Sequence, residues 1–197
     1  RAPGATAEQL LEVLRSGRDG DDGGKFLFAS FLFGHNLKVG ILSLALGVLA
    51  AVPTALLTFY NGMIIGAFVT VHLQAGITSE MWAWILPHGV TELGAIVLCG
   101  GTGLQLGWAV VCPGSLSRGD ALKQVAPEVG RTVGGAGLML IFAAIVESYL
   151  RQSYLSTNAR LLFALGTVVF WIVYITKGVI RERQIRRAAE ALALGRV

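Results

Sequence analysis

Charge is what this sequence has least of. Of its 197 residues only 14% are Asp, Glu, Lys or Arg, against about a quarter in a soluble domain. That shortage excludes an ordinary water-facing surface over most of the chain. Cysteine is nearly absent too, with only Cys99 and Cys112. If the stretch between them is helical, thirteen residues separate the pair by roughly 20 Å, beyond the reach of a disulfide. Several catalytic signatures are missing. There is no Gly-x-Ser-x-Gly elbow, no phosphate-binding Gly loop ending in Lys-Ser/Thr, and no His-Glu-x-x-His pair, so the expectation leans away from an enzyme.

What is present is apolar and grouped. Hydrophobic residues make up 54% of the chain, mean hydropathy is +0.65, and the apolar residues fall in runs long enough to cross the ~30 Å hydrocarbon core. Glycine is abundant at 26 residues, mostly inside those runs, where small residues let neighbouring membrane helices approach closely. The expected fold is an all-α integral membrane bundle of about five transmembrane helices. The chain opens on Arg1 rather than Met, as expected of a processed form, a fragment, or the C-terminal part of something longer.

Four regions are expected. Residues 1–25 read as a soluble N-terminal helix, with Leu10, Leu11 and Leu14 on one side, and a Gly- and Asp-rich linker. Residues 26–38 carry Phe26, Phe28, Phe31 and Phe33 ahead of Lys38, the pattern of an interfacial helix. Residues 39–180 form the transmembrane domain, and 181–197 a basic tail. Within the domain, spans are expected at 39–60, 63–74, 81–112, 132–150 and 161–175. Pro53 should kink the first, and Asn61-Gly62 should break the chain before the second. Pro87-His88-Gly89 should interrupt the third or make it re-entrant. Residues 113–130 read as a polar loop.

The net charge is +4, most of it in the tail Arg181-Glu182-Arg183-Gln184-Ile185-Arg186-Arg187. Beside a membrane helix such a cluster anchors to anionic lipid rather than to nucleic acid. The positive-inside rule puts this tail and the Arg118–Arg131 stretch on the cytoplasmic side of the membrane. The side of the N-terminus depends on whether residues 81–112 cross once or fold back.

His88 and Glu92 are four apart, on one helix face. A carboxylate inside a span costs about 2.5 to 3.5 kcal/mol on insertion scales, so Glu92 is a candidate site. Three readings stand beside one another: a local hydrogen bond steadying a broken helix, a proton relay or ion site, and a metal-dependent hydrolytic site. The last lacks ligands, because catalytic zinc takes three protein donors; His72 and Glu147 would have to complete the set. No metal or cofactor is expected. Glu147 reads either as a carboxylate reaching the outer interface or, more sharply, as one paired with Arg151 at four-residue spacing or with a polar pocket near His88. His72 reads as interfacial. Gly62/Gly66, Gly103/Gly107 and Gly130/Gly134 have the four-residue spacing of close-packed membrane helices, within a bundle or a homo-oligomer.

Two stretches carry a family resemblance: Asn61-Gly62-Met63-Ile64-Ile65-Gly66-Ala67-Phe68, and Pro87-His88-Gly89-Val90-Thr91-Glu92-Leu93-Gly94-Ala95-Ile96. With Gly100-Gly101-Thr102-Gly103-Leu104-Gln105-Leu106-Gly107 and Val146-Glu147, the chain resembles the stage II sporulation protein M family over about residues 26–180. The resemblance implies a polytopic membrane protein that works with peptidoglycan-degrading partners during engulfment in spore formers. It implies no catalytic residues; His88, Glu92 and Glu147 match motif positions only. The expected function is therefore a scaffold for envelope-remodelling partners. A small transporter or ion pathway is the alternative, and an intramembrane hydrolase a distant third.

Overall fold

A computed structural model describes the backbone of residues 6–15, 22–151 and 153–193, and side chains over 6–15, 34–150 and 153–192. Six α-helices make up the described chain: α1 (Ala7–Arg15), α2 (Asp22–Ala45), α3 (Val52–Gln74), α4 (Thr78–Val111), α5 (Arg118–Val146) and α6 (Thr157–Ala193). A 3-10 turn, Leu46–Val48, follows α2, and a π-helical turn, Glu147–Arg151, extends α5. Four helices among the described residues are long and apolar enough to cross a bilayer: α3, α4, α5 with its π turn, and α6. The chain is thus an all-α membrane bundle, as its composition predicts. The expected interfacial phenylalanines, Phe26 to Phe33, have side chains outside the described residues.

Helix α4 is the axis. All five other helices touch it, α5 most extensively. It runs unbroken for 34 residues with Pro87 inside, which corrects the expected interruption at Pro87-His88-Gly89. Pro87 removes one backbone donor and Gly89 adds freedom. In hydrocarbon, however, opening the helix would strand further N–H and C=O groups with no water to meet them. Continuing the helix is the cheaper solution.

The same argument corrects Asn61-Gly62, which lies in the middle of α3. The Asn61 Nδ2 donates to the Leu57 carbonyl one turn back, at 2.9 Å, so its amide serves the helix instead of breaking it. The real break falls at residues 46–51, where Ala50 and Ala51 adopt left-handed φ values of 58° and 66°. Pro53 then occupies the first turn of α3, where a proline costs no hydrogen bond. It starts a helix instead of kinking one. The expected spans 39–60 and 63–74 give way to the end of α2 followed by one continuous α3.

The expected polar loop at 113–130 is mostly helix as well. Ser117 caps α5, its hydroxyl accepting from the Asp120 N–H at 3.1 Å, so the described loop shortens to residues 112–117. The basic residues of 181–187 lie on the last turns of α6.

Two apolar clusters hold the bundle. Leu10 and Leu14 of α1 pack against Ile77 and Met81 at the start of α4. Ala95 and Cys99 of α4 meet Ala136 and Leu140 of α5. Because α4 crosses once, α1 sits at the end opposite the Arg118 end of α5.

Candidate functional site

Three ionisable side chains converge where α4 meets the end of α5. His88 and Glu92 project from the same face of α4, four residues apart. Glu147 opens the π-helical turn, and its backbone N–H is shared between the Ala143 and Ala144 carbonyls. A π turn widens the helix by one residue, and such turns recur at functional positions. The His88 Nε2 lies 3.7 Å from the Glu147 Oε2, and one donor atom from each of the three residues falls within 4.8 Å of the others. His88 and Glu147 are 6% and 5% exposed; Glu92 is partly buried. His88 and Glu92 stand roughly 15 and 21 Å along the helix from Thr78, deep within a span.

Such a cluster is expensive. Two carboxylate charges no more than 4.8 Å apart repel by at least about 3.5 kcal/mol at an effective dielectric near 20, in addition to their desolvation. A positive charge among them, either a proton or a cation, offsets both terms. The arrangement can therefore share a proton, pass one, or ligate a cation.

An aromatic ladder borders one side. His88 meets the edge of Trp84 with ring centroids 6.1 Å apart, Trp84 stacks on Phe68 at 5.9 Å, and Phe68 lies 4.2 Å from His72. His72 is fully buried, in the last turn of α3. Its Nδ1, 2.8 Å from the Phe68 carbonyl oxygen, donates to it. On the other side, the Trp171 indole N–H of α6 donates to the Thr91 hydroxyl at 2.9 Å, joining α6 to α4 beside the cluster.

The remaining expected residues divide cleanly. Pro87 and Gly89 are buried in α4 next to His88. Gly103 and Gly107 face the break between α2 and α3. A Cβ on Gly103 would strike the Ser43 carbonyl, and one on Gly107 would strike Ala51. Gly62, Gly66, Gly130 and Gly134 have nothing within 4 Å of a built Cβ, so they do not lie on a packing face within the chain. The side chain of Arg151, the expected partner of Glu147, lies outside the described residues.

Two features escaped sequence reasoning. Gly47 packs against the backbone of Gly103, a contact with no spacing signal. Arg160, in the first turn of α6, is 4% exposed, and its Nη2 donates to the Ser153 carbonyl at 2.5 Å. It lines a cleft of about 310 Å³ together with Arg15, Glu80, Trp84 and Tyr154. A lone arginine ahead of an apolar run was the available signal.

Taken together, a central unbroken span, Gly-lined contacts and a buried ionisable centre define a multi-span helical membrane protein with a polar core. The chain belongs to the stage II sporulation protein M family, whose model matches residues 3–151. That match contains all three cluster residues and ends where the π turn ends. No curated protein and no solved structure matches the chain.

Proposed function

We propose that this protein is a non-enzymatic membrane scaffold, an assembly platform for envelope-remodelling partners in the bacterial inner membrane, with its basic C-terminal end in the cytoplasm. One observation carries the reading. Helix α3 is long enough to span the bilayer, yet only 6% of its most apolar window is buried within the chain. Leu56, Phe59, Tyr60 and Met63 recur at one-turn spacing along its outer side, each more than half exposed. A span fastened along one edge presents the rest of its surface to lipid or to another helix. Family membership agrees with partners drawn from the envelope machinery.

The test is crosslinking in native membranes followed by mass spectrometry, comparing wild type with a Leu56→Ala/Phe59→Ala/Met63→Ala variant. A defined partner set, lost in a variant that still folds, supports the scaffold. A stable wild-type protein that captures no specific partner sinks it.

A second reading, an ion or proton pathway, is favoured by the buried cluster itself, since ionisable residues inside spans mark such paths. Proton or cation flux in proteoliposomes, abolished by Glu92→Gln, would support it; absence of flux for protons and common cations removes it. The continuous α4 takes away the broken helix that made a transporter attractive.

A further inference from the structure

We infer that His88, Glu92 and Glu147 form a binding site for one divalent transition-metal cation of the zinc class. The site is independent of whether the protein acts as a scaffold.

Donor chemistry comes first. One imidazole and two carboxylates are intermediate donors of the kind that bind zinc, manganese or iron, whereas calcium asks for six to eight oxygens. A helix offering two donors one turn apart, completed by a carboxylate from a neighbouring helix, is how metal sites are built inside bundles. Three protein donors leave the fourth position of a tetrahedral ion free for water.

Geometry comes second. Donors around a tetrahedral zinc ion lie about 3.3 Å from one another. The His88–Glu147 pair is already at 3.7 Å, and the full set spreads over no more than 4.8 Å. The remaining gap, at most about 1.5 Å, is of the size that a glutamate side chain spans by rotating about its own torsions.

Charge comes third. With His88 neutral, two ionised carboxylates carry −2 inside an apolar bundle. A divalent cation brings that to zero and replaces repulsion by three bonds. A single shared proton removes only half of it. His88 and Glu92 stand a single turn apart on one face of α4, so the two donors from this helix are already placed together.

The experiment uses the full chain, purified with a histidine-free tag, reconstituted in lipid nanodiscs and stripped with a chelator. It is then titrated with Co²⁺ as a spectroscopic substitute and with Zn²⁺ under elemental analysis. The expected result is one ion per chain and the intense visible bands of four-coordinate Co²⁺. Glu147→Gln and Glu92→Gln should each weaken binding by about 100-fold or more while leaving the helical circular dichroism unchanged. A folded wild type that shows no such bands overturns the inference, and this is also the outcome expected if the cluster is held by a shared proton alone. Zinc bound equally well by Glu147→Gln is adventitious and overturns it too. If a variant fails to fold, the wild-type Co²⁺ spectrum decides by itself.

Discussion

The two halves of α4 are held by opposite means. Its C-terminal half is fastened by the absence of side chains: Gly103 and Gly107 let the chain between α2 and α3 press against the helix backbone. Its N-terminal half is fastened through side chains that the bilayer resists, with His88 against Glu147 and Thr91 against Trp171. Close contact of small residues is the inexpensive way to join helices in lipid. A carboxylate at the same job adds cost without adding area, so the polar half is the one whose chemistry is kept for use.

If that contrast is right, adding a methyl to the small-residue half and removing a carboxylate from the polar half should have effects of opposite sign. The largest effect falls on Gly103→Ala, whose Cβ runs into the Ser43 carbonyl and the Leu44 backbone. It should destabilise the fold by about 3 kcal/mol, read by unfolding in mixed micelles or as loss of the folded band. For the buried carboxylate the sign reverses. Glu92→Leu, measured in the presence of a chelator, should stabilise the protein by about 2 kcal/mol, because it removes a charge from the span and from its neighbour Glu147. A destabilised Glu92→Leu protein would mean that the cluster is structural glue and would erase the contrast.

Thr91→Val tests the neutral member of the polar half. It removes the acceptor of the Trp171 indole and should cost about 0.6 kcal/mol, the usual worth of an interhelical hydrogen bond in a membrane. The smallest effect belongs to Gly62→Ala. With nothing within 4 Å of the added methyl and a helical backbone around it, it should stabilise α3 by about 0.5 kcal/mol. A large loss there would show that the outer face of α3 is packed against something, which would itself favour a partner helix.

Much of this architecture is legible in the sequence, and the errors share one cause. The hydropathy runs mark the spans, and four-residue spacing puts His88 and Glu92 on one face. Pro87-His88-Gly89 and Asn61-Gly62 were expected to interrupt helices because in water they do so. In lipid the backbone must satisfy its own polar groups, so both stretches stay helical. The break that does occur, at residues 46–51, contains no Asn-Gly or Gly-Pro pair. Its best marker is Pro53, read as a kink when it was the first turn of α3. The approach of Glu147 to His88 is 59 residues distant in sequence and depends on how α5 winds at its π turn. No local pattern specifies that winding. The burial of His72 has a similar origin, because it depends on Phe68 and, through Phe68, on Trp84 of α4.

The central claim is that the polar centre is a real coupling between α4 and α5. The most direct test is a double-mutant cycle between His88→Ala and Glu147→Ala, measured by reversible unfolding in mixed micelles. Coupled residues should give an interaction energy of at least about 0.5 kcal/mol. Effects that add to within about 0.3 kcal/mol would contradict the account and leave the two side chains as neighbours without a bond.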